Sequence, residues 1–301
     1  AIGSWTRDGG SGPDDLFIAV TSEGECVIYS GNDPGVAASW NLVGVFNIGK
    51  PIGRRCLEKA GSDLTVITQD GAISMSTFLP IDQIASSGQA ISTNIQNEFL
   101  ASTRAYSTVF GWQSILYPQG SYSLFNIPLS ATESIQYVMN SQTGAWCKFT
   151  GQNAACWSLF NGNLYFGAQA GGVIYKADSG FSDNAADIDW KIRPAFSYYG
   201  SRGNKKIFSL CRPHFTSSGI PSFAIDLNLD FSNINPTNIP TPTDTASGIW
   251  DVSKWDESYW AEEVTSAAWT TVFGIGECAS PTIRGGTKTI SISFTAYDMI
   301  W

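Results

Sequence analysis

A repeat constrains this chain more than any other feature. "DLFIAVTSEGECVIYSG" (15–31), "DLTVITQDGAISMS" (63–76) and "NLYFGAQAGGVIYKADSG" (163–180) share one pattern: an apolar run, a turn bearing Gly, and a second apolar run. Aligned on Leu16, Leu64 and Leu164, they lie 48 and 100 residues apart, so the second gap holds about two periods. Midway, "SILYPQGSYSLFNIPL" (114–129) supplies the missing copy, with Leu116 in the corresponding place. A unit of about 50 residues with four short strands exposes an apolar face that only a neighbouring unit can bury, as a β-propeller blade does.

The unit that starts at Ser114 reads as a full set of strands, "SILYP", "SYSLFNIPL", "SIQYVMNSQTG" and "AWCKFTG", parted by Gly, Ser or Asn turns. Asn161-Gly162 marks a tight hairpin in the next. Composition agrees, since charged residues are only 14% and aromatics reach 13%, a balance suited to short strands and tight turns. One segment breaks the strand period. Residues 80–105 place Ile84, Ile91, Ile95, Phe99 and Leu100 near helical spacing, with Thr93 and Gln96 forming a candidate capping box. The reading is a β-propeller-like domain over 1–186 with a helical insertion at about 81–105.

Past residue 186 the runs lengthen and alternate: "DIDWKIRPAFSYYG", "KKIFSLCRPHFTS" and "SFAIDLNLDF", then a Pro/Thr/Asn-rich loop at 232–248. "AAWTTVFGIGE" and "TKTISISFTAYDMIW" read as two closing strands. Residues 187–301 are thus expected to form an antiparallel β-sandwich-like domain, making the whole chain all-β apart from the helical insertion. Within it, "IWDVSKWDESYW" (249–260) sets Trp250, Trp255 and Trp260 five residues apart. That interval shares no helical face and alternates faces on a strand, so the rings cannot form one stacking platform. A crossing ribbon that plugs one groove per ring fits the spacing.

Few residues offer chemistry. The six cysteines include no C-x-x-C pair and most sit in apolar runs, which favours buried thiols over disulfides. With His214 the only histidine, a Cys/His zinc site or a nucleophile–His pair has little to build on. No phosphate-cradling glycine loop occurs, and the acids are scattered over turns rather than paired for glycoside hydrolysis. "SGNDPGVAASW" (30–40) resembles the Asp-box turn of sialidase-like propellers, which is structural, with Asp33 bonding backbone amides. "SDNAADID" (182–189) lacks the calcium-loop pattern. No cofactor, metal or catalytic residue is expected, and no apolar run is long enough to span a bilayer.

Charge is uneven. Residues 191–212 hold six cations, Arg202, Lys205, Lys206 and Arg212 among them, and no acid. The remaining 11 cations (17 less 6) face 26 acids, a net of −15, so the body does not invite nucleic acid. The strip is either a charged sheet edge or a docking surface for an acidic neighbour.

The order of "YVMNSQTGAWCKFTGQNAACWSLFNGNLYFGAQAGGVIYKADSG", "AFSYYGSRGNKKIFSLCRPHF", "LNLDF" and "WDVSKWDESYW" resembles the propeller-bearing tail hub or nozzle proteins of short-tailed bacteriophages. The resemblance implies a virion protein, assembled in the host cytoplasm as a hexameric ring. Adaptor and tail fibre or spike proteins would be its neighbours, and DNA would be only passing cargo. It also implies a longer polypeptide, in keeping with a start at Ala1 inside what reads as a strand. No catalytic residue carries over. Trp250, Trp255, Trp260, Arg202, Lys205, Lys206 and Arg212 are the expected subunit or neighbour contacts. The alternative is a carbohydrate-binding or glycan-cleaving propeller for host-surface recognition, resting on Trp112 or Trp157.

Overall fold

The computed structural model describes residues 1–8, 13–78, 90–236, 254, 264–266 and 268–301. The chain is mostly β and divides into two compact units, Ala1–Asp178 and Ser179–Trp301. The division falls eight residues before the boundary read from the change of strand rhythm at 186.

In unit 1, antiparallel sheets follow one another in chain order. The first joins β1 (Ile2–Asp8), β2 (Pro13–Val20), β3 (Glu25–Gly31) and β4 (Trp40–Asn47), each paired with the next. The second joins β5 (Leu57–Ala60), β6 (Asp63–Thr68) and β7 (Gly71–Ser74), after which the chain forms a short helix, α1 (Met75–Phe78). The third joins β8 (Gln113–Tyr117), β9 (Tyr122–Pro128), β10 (Ser134–Asn140) and β11 (Trp146–Phe149). The fourth joins β12 (Ala154–Phe160), β13 (Asn163–Ala168) and β14 (Ile174–Lys176). Asn161 and Gly162 turn between β12 and β13 with φ of 47° and 73°, the left-handed pair that matches strand twist in a two-residue hairpin.

Three of the four aligned leucines hold equivalent places. Leu16, Leu64 and Leu164 lie buried in the second strand of their sheets. Leu116 does not, because it falls in β8, the first strand of the third sheet, and Leu124 in β9 is the buried equivalent. The copies are therefore 48, 60 and 40 residues apart (64−16, 124−64 and 164−124). The long gap carries a helical segment, and the apparent even period arose from matching a first strand to second strands.

Successive sheets bury their apolar faces on each other. Trp5, Leu16, Ile18 and Ile28 of the first sheet share a core with Leu64 and Val66 of the second. On the opposite face of β6, Ile67 joins Phe125, Ile127 and Tyr137 of the third sheet. Ile115, Leu124 and Val138 then meet Trp157 and Leu164 of the fourth. The first strand of each sheet lies against the first strand of the next: β1 by β5, β5 by β8 and β8 by β12. A parallel bridge between Arg55 and Gln113 joins the approach to β5 with β8.

Of the helical insertion, residues 91–95 form a 3-10 turn and α2 spans Gln96–Tyr106, while 79–89 lie outside the described residues. The turn and α2 pack on β7, at the place where the first and third sheets carry a fourth strand. Phe99 of α2 is fully buried against Trp112, Phe125 and Tyr137. The capping box does not form. Thr93 sits inside the 3-10 turn and bonds the Ala90 carbonyl, and Ile95, the residue that precedes α2, provides no side-chain cap. Gln96 instead donates to the carbonyl of Asp70, tying the helix to the β6–β7 turn.

Unit 2 contains β15 (Ile188–Ile192), β16 (Lys206–Ser217), β17 (Ser222–Leu229), β18 (Val264–Ser266), β19 (Thr270–Gly276), β20 (Ala279–Thr287) and β21 (Ile292–Ile300). One antiparallel sheet runs β15-β20-β17, while in the other β16 pairs with β18 and β19 on one side and with β21. Phe208, Cys211, Val272 and Met299 from the second sheet pack with Leu227 and Ala279 from the first. Between the two expected closing strands runs a third, β20, which the sequence reading left out. Its centre is glycine by necessity, since a Cβ on Gly285 would lie 2.4 Å from the Ser222 carbonyl oxygen and 2.6 Å from the Trp190 ring.

Candidate functional site

Charged and aromatic side chains were singled out as contacts, and the fold sends them to different tasks. Lys206 opens β16 with its side chain turned inward, where Nζ donates to the carbonyls of Ser201, Asn204 (3.1 Å) and Glu277 (3.2 Å). It is buried, a clasp on the loop before β16 rather than a contact residue. Its neighbour Lys205 is exposed. Arg202, also exposed, stacks its guanidinium 5.0 Å over the ring of Tyr198.

Arg212 belongs to a separate cluster. β16 and β21 pair in a register that sets Arg212 opposite Asp298 and His214 opposite Ala296. Arg212 Nε lies 3.0 Å from Asp298 Oδ2, and His214 Nε2 lies 3.0 Å from the same oxygen. The guanidinium covers Trp269 at 4.6 Å. These contacts hold the Asp298 carboxyl below the usual carboxylate range, the His214 hydrogen bond first and Arg212 next. The cluster fastens β21 to β16, and it accounts for the one histidine. Of the four cations, Lys206 and Arg212 are thus engaged within unit 2, while Arg202 and Lys205 are exposed.

Trp250, Trp255 and Trp260 lie outside the described residues. Trp112 and Trp157, the rings on which sugar binding was to rest, are buried, with their indole N–H groups bonded to Tyr106 O (2.8 Å) and Asn126 Oδ1 (3.0 Å). All six cysteines are free thiols, four of them buried. Burial pushes Cys26 and Cys211 up to about 11. Asp33 does what the turn reading expects, accepting the Gly35 N–H at 2.8 Å. Among the described residues no cluster of His, Cys, Asp and Glu could hold a metal ion. Nor is any described helix long and apolar enough to cross a membrane.

Another surface escaped the sequence reading. Strand β19 alternates, with Val272 turned into the core while Phe273 and Ile275 turn outward, 76% and 55% exposed. Ile207, 59% exposed, sits directly across from Ile275 on β16. Three large apolar side chains thus share one open sheet face, with Lys205 at its rim. The signal was present as period-2 alternation in "TTVFGIG", but alternation does not say which set faces water when both sets are apolar.

No protein-family model matches this chain, and no curated protein matches it either.

Proposed function

We propose that this chain is a non-enzymatic structural protein of a phage tail, a subunit of a nozzle- or hub-type ring that helps build the conduit for DNA ejection. Unit 1 is read as consecutive blades of a β-propeller. Sheet-on-sheet packing and first strands set side by side support that reading. Unit 2 is read as a β-sandwich-like platform, supported by the core that its two sheets share.

The observation that carries the scaffold reading is the exposed row Ile207, Phe273 and Ile275. Interface centres are rich in such side chains, and a solvent-facing catalytic surface has no use for them. The most conspicuous polar groups are, by contrast, engaged with neighbours: Lys206 on carbonyls, Asp63 on Ser76, and Asp298 on Arg212 and His214. The strongly acidic remainder suits a conduit through which DNA slides without sticking. The carbohydrate reading is set aside because its two tryptophans belong to the core.

Electron microscopy tests the proposal on the purified chain and, by immunogold labelling, on phage particles that carry its gene. Six-fold rings and label on the tail are expected. Label elsewhere, or turnover of a glycan by the purified chain, overturns it.

A further inference from the structure

Unit 2 offers a basic rim on one of its two layers and an acidic knob on the other. On the first layer the outward row Ile207, Phe273 and Ile275 is bordered by Lys205 and, on the loop before β16, by Arg202. That loop is held in shape from inside, since Lys206 donates to the carbonyls of Ser201 and Asn204. The other layer begins with the residues that lead into β15. Asp183 and Ala186 exchange backbone hydrogen bonds of 3.0 and 2.8 Å, and Asn184 and Ala185 turn between them with φ of 47° and 69°. This is the same left-handed pair that closes the hairpin at Asn161 and Gly162. The turn forms a fixed knob that exposes Asp183 and Asp187, with Phe181, 48% exposed, just before it. Among the described residues no ion pair engages either acid, and none engages Arg202 or Lys205.

We propose that the knob of one copy of this chain docks on the row of a second copy, with Phe181 on the apolar side chains and Asp183 and Asp187 on Lys205 and Arg202. Two observations select a second copy. The chemistry matches, since one exposed ring flanked by free acids meets three exposed apolar side chains flanked by free cations. The layers also keep the two surfaces of one copy apart. β15 lies in the sheet β15-β20-β17, and its Trp190 meets Phe215 of β16 across the core at 5.6 Å. Ile207 and Phe273 alternate with Phe208 and Val272, which face that core, so the row points away from the layer that carries the knob. Both surfaces are prepared, the knob by its turn and the rim by the Lys206 clasp, so little ordering accompanies their meeting. The row supplies the grip and the rim charges set the orientation. A contact between two different surfaces is heterologous, and it closes into a ring when the rotation from copy to copy divides the circle, as a six-fold ring requires.

This inference rests on the scaffold reading and names the partner of its exposed row, so the experiment separates the two. Like charges set against each other oppose contact more strongly than a rim pair favours it. In light scattering, a chain with Asp183→Lys and Asp187→Lys is therefore expected to fall from the wild-type mass to that of a single chain. A chain with Arg202→Glu and Lys205→Glu is expected to do the same, each with an unchanged circular dichroism spectrum. Mixed in equal amounts, the two are expected to regain the wild-type mass, since each knob now finds a rim of opposite charge on the other chain. One chain carrying all four changes is expected to assemble by itself. If either charge-reversed chain keeps the wild-type mass, or if the mixture and the four-change chain stay single, the knob-to-row pairing is wrong. The scaffold reading then still stands where Phe273→Glu lowers the mass. If the wild-type chain is itself single at every concentration, both fall.

Discussion

Arg212 and Asp298 stand opposite each other on β16 and β21, joined through Asp298 Oδ2, which also takes the hydrogen bond of His214. The carboxyl is held low, so it contributes stability in full above the ordinary carboxylate range and loses it as pH falls through its lowered folded-state value. Asp298→Asn is expected to lower the melting temperature at neutral pH and to flatten its decline in acid. A melting curve with the wild-type acid limb would show that the cluster does not hold β21.

Asn126 is the most heavily committed buried polar side chain in unit 1. It donates to Gly111 O (2.8 Å) and Ala154 O (3.1 Å), and accepts from Gln136 Nε2 (2.9 Å) and Trp157 Nε1 (3.0 Å). Asn126→Leu strands several of these groups without a partner, at a cost of about 3 kcal/mol in chemical denaturation. Trp157→Phe leaves Asn126 Oδ1 still accepting from Gln136 Nε2 and is expected to cost less.

Alkaline stability reports on the buried thiols. Cys26 and Cys211, both pushed up to about 11, stay protonated in the folded chain after an unfolded thiol has begun to ionise. The unfolded state therefore binds fewer protons between about pH 9 and 11, and stability falls over that window. Cys26→Ala in the same pH series is expected to give a shallower slope. Native-state labelling with a thiol reagent should reach the exposed Cys147 before either of them.

Gly285→Ala is expected to destabilise unit 2 by about 2 kcal/mol or more, because the added methyl meets the Ser222 carbonyl and the Trp190 ring. The companion change Trp190→Leu relieves the ring contact alone, so the double variant should recover only part of the loss.

These positions also show what could be read ahead of the structure. The strands of the third sheet and the Asn161-Gly162 hairpin were legible because turn residues and alternation agree there. β20 was not, since "ASPTIRGGT" carries Pro281, Gly285 and Gly286. Pro281 is tolerated because the β15 ladder stops at the Ile192–Ile283 pair, two residues short of it. Leu116 was misplaced by one strand because both strands of a hairpin show the same apolar alternation. Lys206 read as a surface cation because nothing local in a sequence reveals three carbonyls converging from Ser201, Asn204 and Glu277. The outward row on β19 was hidden for a related reason, being as apolar as its inward face.

Sedimentation equilibrium of the intact chain over a wide concentration range tests the central claim most directly, that this protein works by offering surfaces to neighbours. The account predicts species of several subunits for the wild type, and a drop in mass when Phe273 becomes Glu. A single-chain mass at every concentration, indifferent to that substitution, would contradict it.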